Sequence, residues 1–150
     1  MKIGLISDTH GLLRPQALEA LQGVERIIHA GDIGNMDILD ALARIAPVDA
    51  VRGNNDNGAW ARDIPERQTL HFDGIDILLL HDVKELRREI PAARVVIAGH
   101  SHKPQVAERE GVLYVNPGSA GPRRFKLPVS VAILEIHAGT VAATIVELQI

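Results

Sequence analysis

The 150-residue sequence contains no cysteine. This absence excludes thiolate zinc sites, cysteine nucleophiles and disulfide frameworks, and it fits a reducing compartment such as the cytoplasm. No stretch approaches the roughly 18 apolar residues that a membrane span needs, and the apolar run in "MKIGLISD" is too short for a signal peptide. The formal net charge of −3 disfavours a long nucleic acid as partner. We expect a cytoplasmic domain that binds neither membranes nor long nucleic acids.

Short apolar runs alternate with helical patterns in the first half of the chain. Strand patterns cover 2–7, 25–31 and 48–54, and helical spacing covers 14–23 and 35–45. This alternation is typical of parallel βαβ units. The sequence therefore predicts an α/β fold with one domain over residues 1–150.

The second half predicts antiparallel hairpins. Turns are expected at Asp73-Gly74, near Gly111 and at Ala138-Gly139, with one further buried strand in "ARVVIAGH". Exposed hairpin edges leave room for a homo-oligomer. The segment "ELRREIPAAR", residues 85–94, interleaves arginine with glutamate and is interpreted as a solvated helix face.

Polar side chains follow five predicted strands at the point where each strand ends. They are Asp8 and His10, Asp32, Asn54, His81, and His100 with His102. The carboxyl ends of parallel strands converge at one sheet edge, where ligands bind. Asp-x-His and His-x-His spacing on extended chain points both side chains the same way. Seven oxygen and imidazole donors exceed the needs of one ion, so the set favours two divalent ions of the kind that clamp a phosphoryl group.

Each of these segments also has an ordinary structural explanation. Asp8-Thr9-His10 fits an Asx-turn that caps a helix, and Gly31-Asp32 fits a plain turn. Residues 54–56 fit a loop, and His81 alone fits a hydrogen-bonded histidine. None of these explanations accounts for the recurrence of such groups at strand ends.

The ordered series "SDTHG", "HAGD", "RGNND", "LLLHD" and "AGHSH" resembles the calcineurin-like metallophosphoesterases over residues 7 to 124. The short length and "VNPGSAGPR" are most similar to the small bacterial and archaeal phosphodiesterase branch. The resemblance implies a four-layer α/β/β/α sandwich of two mixed sheets flanked by helices. It assigns Asp8, His10, Asp32 and His102 to one ion, and Asp32, Asn54, His81 and His100 to the other.

The implied activity is hydrolysis of a small phosphoester, more specifically a diester, by in-line attack of a metal-bridging hydroxide. Two divalent ions are expected; manganese is preferred, and iron, zinc, nickel or cobalt would suit the same donors. One alternative is a protein-binding scaffold of the same fold with little or no catalysis, like the retromer subunit, which resembles these enzymes but acts by protein contact. Another is a metal-dependent hydrolase that acts on amides or lactones.

Asn55 stands where many larger members of the family have a histidine, and we expect it to be a catalytic and substrate-binding residue. Its amide donates a hydrogen bond but supplies no proton. Arg123 is the expected contact for substrate phosphate, with Arg124 as the alternative. Asp82 follows His81 and would either orient that histidine or repel phosphate.

Four further residues have open roles. His29 is either a partner of the metal ligands or a histidine at the edge of the core. His71 and His137 are expected to be solvated. Trp60 would either pack on its loop or stack on a base.

Overall fold

Ten strands form two five-stranded sheets in the computed structural model, which describes residues 1–150. In chain order the strands are β1 (Lys2–Ile6), β2 (Arg26–His29), β3 (Val48–Ala50), β4 (Arg67–Phe72), β5 (Ile75–Leu80), β6 (Val95–Ile97), β7 (Gln105–Arg109), β8 (Val112–Asn116), β9 (Ser130–His137) and β10 (Thr140–Glu147). The α-helices are α1 (Pro15–Ala20) and α2 (Met36–Ala43), and two 3-10 helices cover Ala59–Ala61 and Val83–Leu86. None of these helices has both the length and the apolar character needed to cross a bilayer.

Both sheets are mixed, as the sequence predicts. The first has the order β10-β9-β1-β2-β3, in which β1, β2 and β3 are parallel because α1 and α2 carry the chain between them. The second has the order β4-β5-β6-β8-β7, with β5, β6 and β8 parallel. Each sheet therefore has a set of parallel strands whose carboxyl ends lie at one edge of that sheet.

Three hairpins have two-residue turns. Their register pairs Phe72 with Ile75, Arg109 with Val112, and His137 with Thr140. Both central residues of each turn have positive φ, and the second is always glycine: Asp73-Gly74, Glu110-Gly111 and Ala138-Gly139. This is the type I′ geometry that matches strand twist, and it confirms the predicted turns.

The principal core lies between the two sheets. In β1, Ile3 and Leu5 point into this core, whereas Ile6 points to the opposite face, where α1 and α2 pack. Leu79 and Ile97 supply part of the second sheet's inner face. Because successive side chains of a strand point to opposite faces, this alternation determines which side chains are buried and specifies the register in which the strands pair.

The outer face of the second sheet has only a thin cover. A small cluster that includes Leu80, Val96 and Ala98 packs against Leu86 of the 3-10 helix Val83–Leu86. The α/β sandwich is confirmed, but its fourth layer is reduced to this single 3-10 helix and no α-helix flanks this side.

The predicted helix at 85–94 is wrong, although its exposure is right. The 3-10 helix ends at Leu86, and Arg87 adopts a left-handed backbone with φ of 53°. Pro91 lacks the backbone donor that a continuing helix would need. Irregular chain therefore follows, and Arg67 pairs with Glu89 at 3.3 Å across the surface.

Candidate metal centre

Loops that follow four parallel strands meet at one edge of the sandwich. The Asp8 amide donates to the Gly31 carbonyl at 3.0 Å, which joins the loops after β1 and β2. The Gly99 amide donates to the His81 carbonyl at 2.8 Å, which joins the loops after β5 and β6. The first pair belongs to one sheet and the second pair to the other. The edge thus collects the side chains that the sequence places at strand ends.

Asp8, His10 and His102 form the first group of possible metal ligands. Oδ1 of Asp8 lies 3.8 Å from Nε2 of His10 and 3.5 Å from Nε2 of His102. The two imidazole Nε2 atoms are 3.4 Å apart. Asp8 and His102 are buried, whereas the His10 side chain is 25% exposed and gives this group an open side.

Asp32, His81 and His100 form the second group. Nε2 of His81 lies 3.2 Å from Oδ2 of Asp32, and the rings of His81 and His100 meet edge to face with centroids 5.2 Å apart. Nδ1 of His81 donates to the Ala30 carbonyl at 2.7 Å. This bond fixes the ring and leaves Nε2 directed at the site, the arrangement common for metal-ligating histidines.

The two groups share a boundary at Asp32. Its Oδ2 lies 3.7 Å from Nε2 of His10 in the first group as well as beside His81 in its own. On the other side, Nε2 of His81 is 3.9 Å from Oδ1 of Asp8. Asp32 therefore has the position that a carboxylate shared by two ions would need.

The donor atoms fit divalent cations. Oδ1 of Asp8 is buried and has no hydrogen-bond partner, and the buried Nε2 of His81 has the Asp32 carboxylate beside it, at 3.2 Å. A polar atom buried without a partner carries a substantial free-energy cost, which a cation would remove. Carboxylate oxygen and imidazole nitrogen are ligands of borderline and hard divalent metals, so the residues present fit such ions.

Burial and charge shift two pKa values in opposite directions. Burial disfavours the charged form of His81, but the Asp32 carboxylate, the Ala30 carbonyl and Asp8 outweigh it and raise the pKa of His81 to about 9. Burial alone would raise the pKa of Asp32, yet His81 and the Asn55 amide hold it well below its usual range. In the absence of metal the pair is therefore an ion pair at neutral pH.

Much of the site has a left-handed backbone. Five residues of the two groups have positive φ: Asp8 at 55°, His10 at 47°, Asp32 at 54°, His100 at 71° and His102 at 63°. For residues other than glycine this conformation costs about 1–3 kcal/mol each and persists only where the surroundings impose it. The positive φ turns the chain after each strand, so the Asp-x-His and His-x-His pairs do not lie on extended chain, contrary to the expectation from their spacing.

Two glycines allow the loops to approach closely. A Cβ at Gly99 would collide with the Ser7 hydroxyl and lie 2.7 Å from Oδ2 of Asp8. A Cβ at Gly53 would collide with the Asp32 carboxylate and backbone amide. Both positions exclude a side chain because a carboxylate of the site occupies the space.

Asn55 holds Asp32. Its backbone amide donates to Oδ1 at 3.0 Å and its side-chain amide donates to Oδ2 at 3.1 Å. In this arrangement the amide is directed at a ligand residue and not at an open position for substrate. Asn54 is exposed, and its carbonyl accepts a hydrogen bond from Nδ2 of Asn57 at 3.3 Å.

Asp56 was not recognised in the sequence as part of the site. It is 3% exposed, and its carboxylate accepts hydrogen bonds from the amides of Ile33 at 3.1 Å, Gly34 at 3.1 Å and Gly53 at 2.8 Å. It therefore ties the loop that carries Asp32 to the loop that carries Asn54 and Asn55. The only sequence signal is an acidic residue two positions after the predicted ligand Asn54.

His29 is fully buried beneath the site. Its Nδ1 accepts from the Gly31 amide at 3.1 Å, so Nε2 carries the proton and donates to the Thr9 hydroxyl at 3.0 Å. Burial is the main cause that lowers its pKa to about 4, against smaller opposing effects of Asp8 and Asp56. The neutral ring joins the loops after β1 and β2, so His29 positions residues that flank the ligands.

The remaining sequence candidates lie as follows. Arg124 lines a groove beside His100, whereas Arg123 lies in a different groove beside residues 147–150. Oδ2 of Asp82 is 3.7 Å from Nε2 of His100, so this carboxylate neighbours His100 and not His81.

His71 and His137 are exposed, as predicted, and His71 pairs with Asp76 at 2.6 Å. Trp60 packs on Gly58 and on the cluster beneath α1 and α2, which confirms the packing interpretation.

Two mixed sheets whose strand ends assemble paired Asp/His groups define a metallophosphoesterase class of fold and site. Residues 1–139 match the family model of the calcineurin-like phosphoesterase superfamily domain, and the chain belongs to this family. A probable metallophosphoesterase of Methanothermobacter thermautotrophicus is 36% identical, over 98% of this chain and 92% of that protein.

Two solved structures are similar over nearly their whole length. An archaeal phosphodiesterase has a TM-score of 0.79 and 26% identity, over 97% of this chain and 100% of that one. Vps29 of Entamoeba histolytica in complex with zinc has a TM-score of 0.75 and 23% identity, over 98% of this chain and 99% of that one. The second likeness concerns the fold alone.

Replacing Asp56 with alanine is expected to lower the free energy of unfolding by about 3 kcal/mol, because three amides lose a charged acceptor. Mn²⁺ affinity should fall about 10-fold or more as the Asp32 loop loosens. Urea unfolding and calorimetric titration measure the two effects. Asp56→Asn, which keeps one acceptor oxygen, should lie between wild type and alanine, and Asp63→Ala at an exposed position is the control. Unchanged metal affinity in Asp56→Ala would contradict the positioning role.

His29 predicts a loss of stability in acid. Its pKa is about 4 in the folded protein against 6.5 when unfolded. The unfolded chain therefore binds more protons than the folded protein between these two pH values. The contribution of His29 to the free energy of unfolding is complete above pH 6.5 and declines by up to about 3 kcal/mol as the pH falls toward 4. Urea unfolding of wild type and His29→Gln in chelator, from pH 7.5 to 4, measures the difference; Gln retains a donor for Thr9. A gap between the two proteins that does not change with pH would contradict the prediction.

Proposed function

We propose that this protein is a dinuclear metal-dependent phosphodiesterase that hydrolyses a small phosphoester. The observation that carries the proposal is the pair of adjacent Asp/His groups, in which Oδ1 of Asp8 is buried without a hydrogen-bond partner. Metal ions bound there would neutralise phosphoryl charge and supply hydroxide for in-line attack near neutral pH. Manganese is the proposed ion, and the donor set also suits iron, zinc, nickel or cobalt.

The chain's own residues would hold and orient this centre. Asp8, His10 and His102 would bind one ion, and His81 and His100 the other, with Asp32 shared between them. Asn54 is a further proposed ligand of the second ion. Asn55 fixes both oxygens of Asp32, which limits the directions in which that carboxylate can bridge.

The phosphoester would approach from the side of His10 and His100. Their side chains are 25% and 44% exposed, whereas those of Asp8, His81 and His102 are at most 4% exposed. The buried ligands thus form the floor of the site and the exposed ones its rim. A shallow rim of this kind suits a small ester whose phosphorus reaches the centre directly.

The alternative is a protein-binding scaffold without hydrolysis. The likeness to Vps29 favours it only at the level of the fold. The six Asp and His donors in two groups favour the enzyme, because a protein-binding surface does not need a buried, unpaired carboxylate oxygen such as Oδ1 of Asp8.

Replacing Asp32 with alanine should abolish Mn²⁺-dependent hydrolysis of bis(p-nitrophenyl) phosphate, since both ions lose a ligand. A loss of 100-fold or more is expected from the catalytic contribution of metal-bound water and phosphoryl polarisation, on the order of several kcal/mol. Release of nitrophenol measures the activity, and circular dichroism checks that the fold is retained. Asp40→Ala, an exposed position on α2, is the matched control. Full activity of Asp32→Ala would reject the shared ligand, and wild type without chelator-sensitive activity would favour the scaffold.

The asparagine at position 55 leads us to expect that the enzyme strongly prefers esters with good leaving groups. An amide cannot donate a proton to the departing oxygen, and the loss of a general acid costs about 10²–10⁴-fold in rate. Turnover of a p-nitrophenyl ester should exceed that of the matching ethyl ester by at least this factor. Asn55→His should narrow the gap between the two esters, but it also removes the side-chain hydrogen bond to Oδ2 of Asp32, so the rate on the p-nitrophenyl ester should fall. Equal turnover of the two esters by wild type would contradict the prediction.

A further inference from the structure

A groove of about 320 Å³ opens on the outer face of the second sheet, beside His100. It lies between the 3-10 helix Val83–Leu86 and the strands β7 and β8. We propose that this groove binds an organic arm of the substrate and that the arm carries a second anionic group, such as another phosphate. The proposal rests on the proposed function, since it places the reacting phosphorus at the metal centre.

The floor of the groove suits an organic group. Val96 and Ala98 are buried beneath it, and the half-buried Tyr114 ring forms part of its lining. The volume falls within the range of small-molecule sites, which combine an apolar surface with a few polar groups. The reduced fourth layer leaves this floor open, because no α-helix covers the second sheet here.

The rim of the groove is cationic. Lys84, Arg109 and Arg124 line it, and Asp82 is the one carboxylate among the lining residues. The arginines that form ion pairs lie elsewhere: Arg26, Arg52, Arg67 and Arg94. Three unpaired cations on a chain of net charge −3 form a local positive field that would attract an anion.

Arg109 is already oriented. Its guanidinium carbon lies 4.3 Å from the centroid of the Tyr114 ring. Stacking on the ring restricts the side chain while its N–H groups stay available, so less freedom is lost when it binds an oxyanion. Arg109 is therefore the residue best placed to contact a second phosphate.

The groove is joined to the metal centre through the Gly99–His102 loop. Nδ2 of Asn116 donates to the Gly99 carbonyl at 2.9 Å and to the Ser101 hydroxyl at 3.0 Å. His100 contributes both to the second ligand group and to the groove wall. An ester bound at the rim of the centre can thus extend an arm directly into the groove.

Two chromogenic diesters test the proposal. They are thymidine 5′-(p-nitrophenyl phosphate) and the same compound with a 3′-phosphate, which differ only in the second anion. Wild type should prefer the 3′-phosphorylated ester about 10-fold in kcat/KM, the effect of one charge-assisted contact. Arg109→Gln should remove most of this preference and Lys84→Gln a smaller part of it, both with little effect on the other ester. Arg44→Gln, an exposed position at the end of α2, is the charge-matched control.

Binding without catalysis provides the second measurement. Thymidine 3′,5′-bisphosphate added to the protein in chelator should shift the amide NMR signals of Tyr114 and its neighbours, and Arg109→Gln should weaken these shifts. Equal turnover of the two esters by wild type would overturn the inference and leave the proposed function intact. Hydrolysis of neither ester would refute the proposed function, and bisphosphate shifts outside the groove, or none, would then overturn the inference as well.

Discussion

The Asp8 carboxylate is the contact on which the site depends, because its two oxygens serve two purposes. Oδ2 accepts hydrogen bonds from the Ser7 hydroxyl at 2.8 Å and from the His100 amide at 3.0 Å, so it ties the first sheet to the loop after β6 of the second. Oδ1 stays buried without a partner and faces His10 and His102. One side chain thus joins the loop after β1 to the loop after β6 and offers a donor atom at their junction.

The site concentrates unfavourable features that the rest of the fold must offset. Five candidate ligand residues have left-handed backbone, and the side chains of Asp8, Asp32, His81 and His102 are buried away from water. The apolar core between the sheets is the opposing stabilising contribution, and it joins residues from both. Asp56 and His29 then lock the loops from below through backbone amides and a buried hydroxyl. The geometry of the donors is therefore set by the protein before any ion binds.

The sequence supported inference wherever a local pattern determines the outcome. Periodicity located the strands, and paired turn residues such as Asp73-Gly74 located the hairpins. The carboxyl ends of parallel strands converge at one edge of a sheet, so the proximity of candidate ligands such as Asp32 and His81 could be predicted from the sequence. Features that depend on side-chain direction were out of reach: nothing local indicates that Asn55 faces Asp32, or that Asp56 accepts three amides. The prediction of a helix at 85–94 was wrong because the spacing of charged residues does not indicate that Arg87 adopts a left-handed backbone.

On the second sheet, the loops that carry the candidate metal-binding atoms are separate from the exposed connection that covers the outer face. The atoms suited to metal binding sit on loops held by buried contacts, whereas residues 83–94 form an exposed connection whose backbone carries none of them. Lengthening or exchanging that connection would alter which molecules can lie against β6 and β8 while the donors stay in place. Chains of this architecture can therefore diverge by changes in one surface connection, with the geometry of the donor atoms unchanged.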